Sequence, residues 1–264
     1  MAYTIGFIGF GNLAKRLYKG FEPLFKQENA CVLYSEYIPL NPEIKNVTLV
    51  NLPDLLNQSD IIVLAIKPHQ LENIAEQLNT INWDNKCLVS LLAGKSLQNI
   101  ISKVPSLKHL IRVMPNTSAE FKQSMTVYSF LDSTEKHYRE RIHNLFSSVG
   151  TCMNIEDSKM DICTALFGSG PAFFYELVNG MQKYMIENDF SEAESRLMIN
   201  QLFLGVATSI NSRTDSIQTL IKEIKSPNGT TQAGLEKMES INITKQFDSV
   251  FDAAKIRAKE LSNE

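Results

Sequence analysis

A chain of 264 residues has room for about two domains, since single domains run at roughly 100–200 residues. With 44% hydrophobic and 21% charged residues and a net charge of −3, it reads as an ordinary globular protein, and it carries no Lys/Arg cluster that would favour general nucleic-acid binding. The longest uncharged apolar stretch, around Ile61–Ile66, is too short for a bilayer, and Met1–Lys15 lacks the basic flank of a signal peptide. Cys31, Cys87, Cys152 and Cys163 are scattered without metal-ligand or disulfide spacing, which predicts no metal and a reducing, cytoplasmic setting.

Tyr3–Ile8 is an uncharged apolar run, as in a strand buried on both faces of a parallel sheet. Gly9-Phe10-Gly11-Asn12-Leu13-Ala14 follows without a spacer and opens a helix over Ala14–Phe25. In that Gly-x-Gly-x-x-Ala pattern Gly9 permits a tight turn and Gly11 lets the backbone approach a pyrophosphate. Ala14 lets helix and strand pack closely, and the helix N-terminus offers free N–H groups. The placement of the motif, directly after a strand, points to a dinucleotide site. Pro23 is expected to bend or end the helix. Cys31–Tyr34 reads as a second strand with Ser35 and Glu36 just beyond it. Glu36 stands 25 residues after Gly11, near the spacing of about 20 usual for the acid that binds a ribose 2′-hydroxyl.

Val47–Val50, Asp60–Ile66, Cys87–Leu92 and Leu110–Met114 read as further strands, with helices at Pro53–Asn57, Gln70–Leu78 and Leu97–Lys103 between them. The alternation implies a parallel sheet wound on both sides. Ligands of such sheets lie at the carboxyl ends of the strands, where Gly9/Gly11, Ala65-Ile66-Lys67-Pro68, Ala93-Gly94 and Met114-Pro115-Asn116 stand, so one elongated cofactor can touch all four. Met125–Phe130 is a candidate for one more strand, and Glu135–Ser147 for a helix.

After about Asp157 strand signals stop and helices take over, which divides the chain into a dinucleotide-binding α/β domain over 1–156 and an all-α domain over 157–264. Ser191–Glu194 is a capping box opening a helix with Leu197, Ile199, Leu202, Phe203, Val206 and Ile210, more apolar surface than a small helical domain needs for itself. Its expected use is burial against a second chain. Ser226-Pro227-Asn228-Gly229-Thr230-Thr231 interrupts the helices: either a helix–helix loop whose Thr caps the next helix, or an anion nest at a helix N-terminus.

Five ordered blocks then carry a resemblance. Gly9–Ala14, Ala65–Pro68, Arg112–Asn116, Thr164–Ala172 and Ser226–Thr231 together resemble the pyrroline-5-carboxylate reductase family, essentially end to end. The resemblance implies an N-terminal Rossmann domain, a helical C-terminal domain that dimerises, dimers that often assemble further, and NADPH or NADH as hydride donor to a cyclic imino acid. It implies cofactor contacts from Gly9, Gly11, Asn12, Leu13, Ser35, Glu36, Ala65, Ile66, Lys67, Pro68, Ala93, Met114, Pro115 and Asn116. It further implies a substrate pocket between the nicotinamide and the 226–231 loop, completed near the dimer interface and including Ser169, Asn228, Gly229, Thr230 and Thr231. The Thr231 hydroxyl is assigned to the imine nitrogen, and the backbone N–H groups of Gly229, Thr230 and Thr231 to the carboxylate. A protonated imine is already electrophilic, so His69, His109, His137 and His143 are not needed as acids. The chain departs from the family pattern at Phe167, where Ser is usual, at Asn228, where Gly is usual, and at Ser124, where Gly is common. Ser35 suits a 2′-phosphate, while Glu36 repels one and tilts the expectation toward NADH. The alternatives are a related imine or ketone reductase on the same scaffold, or a non-enzymatic redox sensor.

Overall fold

The computed structural model describes residues 3–28, 30–35 and 47–263. The first strand, β1 (Thr4–Ile8), leads through the glycine turn into α1 (Asn12–Glu28), and then β2 (Cys31–Ser35) and β3 (Thr48–Leu49) follow. Next come α2 (Leu52–Gln58), β4 (Ile61–Leu64), α3 (Leu71–Leu78), β5 (Cys87–Ser90), α4 (Leu97–Lys103) and β6 (Leu110–Met114). The sheet is completed by β7 (Ser124–Phe130), α5 (Lys136–Ser147) and β8 (Gly150–Asn154). Its strand order is β3-β2-β1-β4-β5-β6-β7-β8. The first six strands are mutually parallel, whereas β7 runs antiparallel to β6 and β8 parallel to β7.

Successive side chains of a strand point to opposite faces, and here both faces are apolar. Ile5, Phe7, Ile61 and Val63 pack with Leu17, Phe21 and Phe146 on one side. Ile8, Ile62 and Leu64 pack with Leu55, Leu78 and Trp83 on the other. This is why the strands read as unbroken hydrophobic runs. β1 has neighbours on both sides, β2 reached through α1 and β4 reached by crossing back. The order reverses between β1 and β4, and at that point the ends of the strands part into a crevice.

One local expectation changes, and one strand appears that the sequence pattern did not announce. Pro23 does not end α1, which continues to Glu28. A proline there removes one helical bond, but Tyr18, Phe21 and Phe25 are buried in the core and hold the last turns in place. The strand β8 was not legible as a strand: its Thr151 and Met153 are exposed, so there was no apolar run to read, and its order comes from pairing with β7.

The remaining helices are α6 (Met160–Cys163), α7 (Gly170–Ile186), α8 (Glu192–Ser212), α9 (Ile217–Ile224), α10 (Thr230–Ser240) and α11 (Ile243–Asn263). Two compact units result, one comprising Met1–Pro171 with Phe251–Glu264, the other Ala172–Val250. Within the first, the end of α11 packs on the turn after β5: Lys95 Nζ donates to the Ser262 carbonyl at 3.3 Å, and a Cβ on Gly94 would lie 2.2 Å from the Ala258 carbonyl oxygen. Within the second, the capping box forms as expected, Ser191 and Glu194 each accepting from the other's backbone N–H. The apolar residues of α8 and α9 are largely uncovered, with Leu197 72% and Ile224 70% exposed, around a groove of about 940 Å³.

Candidate cofactor and substrate sites

The glycine turn after β1 is fixed from below by Phe10, whose ring is fully buried and meets Phe7 edge-on at 5.4 Å. Gly9 has φ +83°, and a Cβ there would lie 2.8 Å from the Ala65 carbonyl oxygen, so both backbone conformation and the close approach of β4 require glycine. Gly11 differs. A Cβ built on it would meet no protein atom within 4 Å. The space above Gly11 is therefore not needed by the fold, as a backbone cradle for a pyrophosphate requires.

That space belongs to a cavity of about 1210 Å³ at the β1/β4 switch point. Of the residues anticipated from the sequence, Gly9, Gly11, Asn12 and Leu13 line it from the turn and the start of α1, and Ala65, Ile66 and Lys67 from the end of β4. Lys67 is set by its neighbour Gln70, whose side-chain oxygen accepts from the Lys67 backbone N–H at 2.8 Å. Pro68, Ala93, Met114, Pro115 and Asn116 do not line it, and Glu36 and the Ser35 side chain lie outside what is described. The sequence reading missed Lys15, Asn51 and Thr117. Asn51 follows the third strand, and the strand-end rule that selected the other residues would have found it. Among the described lining residues Lys15 and Lys67 are the charged ones, and both are cations. The cavity thus combines a helix N-terminus, an uncovered glycine and two ammonium groups, a set suited to an anionic dinucleotide. Among the described residues no histidine lines it.

Arg112, from the third sequence block, is 2% exposed and spans Asp157 at 3.0 Å and Asp161 at 3.3 Å. Asp157 also accepts from the N–H of Leu97 and from the Ser129 hydroxyl, so this ion pair knits β6, β7 and α4 to the chain after β8. Its place is structural. Near the cavity, Lys19 and Arg16 on α1 grip Glu120 and hold its carboxyl below the usual range.

In the second unit, the 226–231 loop delivers the N-terminus of α10. Asn228 has φ +60°, the left-handed region, which glycine enters freely and asparagine better than most. This explains how Asn takes the place of a glycine. We expect Asn228→Gly to leave the thermal midpoint nearly unchanged, while Asn228→Val, β-branched in a left-handed position, lowers it by several degrees, from a cost of about 1–2 kcal/mol; calorimetry of the two variants checks this. Gly229 is the helix cap, and a Cβ on it would lie 2.3 Å from the Ser226 hydroxyl oxygen. Its N–H already donates to the Ser226 carbonyl at 3.1 Å, and that of Asn228 to the Gln232 side chain at 3.1 Å. The Gly229 amide is thus engaged within the loop, which leaves the first-turn amides of Thr230 and Thr231 facing outward from the helix end. No side-chain cap bond forms at this terminus, and neither threonine hydroxyl has a hydrogen bond among the described residues.

A mostly parallel, doubly wound sheet with this cradle at its switch point defines a dinucleotide-binding domain of the Rossmann type. Comparison with known proteins makes it specific. Residues 157–261 match the family model described as pyrroline-5-carboxylate reductase dimerisation, and residues 4–94 match that described as NADP oxidoreductase, coenzyme F420-dependent. The chain is 30% identical to the pyrroline-5-carboxylate reductase of Staphylococcus epidermidis, over 79% of this chain and 77% of that one. The crystal structure of the Streptococcus pyogenes 1-pyrroline-5-carboxylate reductase superposes with a TM-score of 0.87 at 29% identity, covering 98% of this chain and 99% of that one. The Plasmodium falciparum pyrroline carboxylate reductase with NADP bound shares the fold, with a TM-score of 0.89 at 24% identity over 98% of both chains. The chain belongs to the pyrroline-5-carboxylate reductase family. Its helical region is a dimerisation domain, and the enzyme is a homo-oligomer. Among the described residues no helix is long and apolar enough to cross a membrane.

Proposed function

We propose that this chain reduces 1-pyrroline-5-carboxylate to L-proline by hydride transfer from NADH or NADPH. Family membership carries the reading, and the chemistry of the two sites supports it. A reduced nicotinamide dinucleotide held by Gly9, Gly11, Asn12, Leu13, Ala65, Ile66 and Lys67 supplies hydride to the imine carbon. Lys15 and Lys67 offset the phosphate charge. The positive end of α10 and the N–H groups of Thr230 and Thr231 hold the substrate carboxylate, and Asn228 and Gly229 give the loop the shape this needs. Ser169 contributes a further polar contact to the substrate. The Thr231 hydroxyl donates to the imine nitrogen as hydride transfer places a lone pair on it. That nitrogen brings its own proton, so orientation supplies most of the rate.

We assign residues 1–156 to cofactor binding and 157–264 to dimerisation and substrate binding, with dimers as the basic assembly and larger assemblies of dimers built from them. The thiols of Cys87, Cys152 and Cys163 are free, which suits a reducing compartment, and we place the enzyme in the cytoplasm. Oxidation of NADH and of NADPH, followed with pyrroline-5-carboxylate and separately with other cyclic imines and ketones, tests the reading. Turnover confined to the other compounds gives the site to a related reductase, a rival that Phe167 in the usual place of serine keeps in play. Binding of cofactor with no turnover on any of them leaves a redox sensor.

For the cofactor we lean to NADH, because a carboxylate at Glu36 favours a ribose diol and repels a 2′-phosphate. Glu36→Ala is then expected to raise kcat/KM with NADPH relative to NADH by several-fold. An unchanged ratio makes Glu36 a solvated loop residue.

A further inference from the structure

The chain between α6 and α7 is not a regular helix. Over Thr164–Gly168 it makes a π-turn, closed by the Ser169 N–H donating to the Thr164 carbonyl at 3.0 Å. The carbonyl of Phe167 lies in this turn. In an α-helix its donor would be the N–H four residues on, but that residue is Pro171, which has none. A carbonyl in this position needs a donor from elsewhere. Asn116 supplies it: its Nδ2 donates to the Phe167 carbonyl at 3.0 Å across 51 residues of sequence.

Asn116 is itself held rigidly. It is 8% exposed, its Oδ1 accepts from the Ser118 N–H at 3.0 Å, and its backbone N–H donates to the Ser124 hydroxyl at 3.1 Å. Ser124 is 2% exposed and is bonded in turn to the Thr126 hydroxyl at 3.1 Å. Here the serine that departs from the commoner glycine has a use, as a brace on Asn116. The turn is fixed at two more points. The Thr164 hydroxyl donates to the Met160 carbonyl at 2.9 Å, and a Cβ on Gly168 would lie 3.0 Å from the Met114 sulfur, so β6 ends directly beneath it.

We propose that Asn116 is a positioning residue, which clamps the π-turn through the Phe167 carbonyl and so sets Ser169 where the substrate binds. The inference rests on the reading of Ser169 as a substrate contact. Asn116 does not line the dinucleotide cavity, and its amide is committed to protein partners. Its loss therefore acts on the substrate side. With the donor gone, the Phe167 carbonyl is left unpaired in a half-buried place, and the turn relaxes toward water.

Asn116→Asp tests this most sharply, because it keeps the shape and the acceptor for Ser118 while turning the donor into an oxygen that faces the carbonyl. It should raise KM for pyrroline-5-carboxylate by about 10-fold, leave the dinucleotide Kd within about twofold, and speed hydrogen exchange at the Ser169 amide by about 10-fold or more. Ser124→Gly removes only the brace and should move the same quantities less, which keeps the test open if Asn116→Asp folds poorly. Pro171→Ala restores an N–H for the Phe167 carbonyl. Added to Asn116→Ala it should recover the thermal midpoint but not KM, because a regular helix satisfies the carbonyl and misplaces Ser169. Recovery of KM together with the midpoint overturns the positioning role and leaves a structural one. A rise in Kd matching that in KM overturns it in favour of direct cofactor contact. If the parent enzyme reduces no imine, the proposed function falls, and exchange at Ser169 still decides whether the clamp exists.

Discussion

Gly11→Val is expected to abolish dinucleotide binding and leave the protein folded. The two halves of that expectation come from one observation: a Cβ at Gly11 meets no protein atom within 4 Å, and the residue is not in the left-handed region. The fold therefore makes no demand for glycine at the β-carbon, and a side chain there starts into open space. A surface change of this kind costs within about 0.5 kcal/mol, a shift of about 2 °C or less in the midpoint. The demand comes from the ligand. A diphosphate that draws its hydrogen bonds from the start of α1 has to pass over Gly11 in contact with the backbone, and three carbon atoms in that space hold it off. Losing that contact should weaken binding by about 100-fold or more, which is about 2.7 kcal/mol. Titration calorimetry with NADH and NADPH reads the first half and a thermal melt the second. Gly9→Ala is the contrast. With φ +83° and the Ala65 carbonyl oxygen 2.8 Å away it should lose the fold's local order as well as the ligand. If Gly11→Val binds either dinucleotide as the parent does, the cavity at the switch point is not the cofactor site.

What could be read in advance follows from which forces act locally. The buried strands β1, β4, β5 and β6 were legible because both faces of the sheet are apolar, so each strand is a run that needs no partner to be recognised. The glycine cradle was legible because its spacing is a backbone requirement. Lys15 was not, because nothing in a helical lysine tells whether it faces a cavity or solvent until the helix is placed on the sheet. β8 depends on pairing with β7 and carries little hydrophobic pattern of its own. Asn116 shows a different limit. Its position at a strand end marked it for a ligand, yet its amide is used on a carbonyl that Pro171 leaves without a donor, and that match spans two distant segments. Asn228 looked like a departure from the pattern, and its left-handed φ shows the constraint is on backbone conformation, which asparagine meets.

Thr231→Val is expected to lower kcat by about 10-fold while leaving the protein as stable as the parent. A threonine at a helix start invites the reading that its hydroxyl caps the helix. The geometry does not favour that role, since the cap of α10 is Gly229, no side-chain cap bond forms there, and Thr231 lies inside the first turn. Its hydroxyl is thus left for a ligand. As hydride reaches the imine carbon, the electron pair of the C=N bond settles on nitrogen, and a donor aimed at that nitrogen matters more at the transition state than in the bound substrate. Removing an interaction that grows along the reaction lowers kcat, whereas removing one equal in both states raises only KM. A hydrogen bond worth about 1.4 kcal/mol corresponds to the tenfold loss. The substrate's own proton sets a floor under the rate, so activity should persist. Thr230→Val provides the control: its assigned contact is a backbone N–H, which valine keeps, and kcat should change by less than about twofold. Steady-state rates at saturating imine for the two variants decide the matter. If Thr231→Val turns over as fast as the parent, the proton on nitrogen is managed by water or by another group, and Thr231 contributes its amide alone.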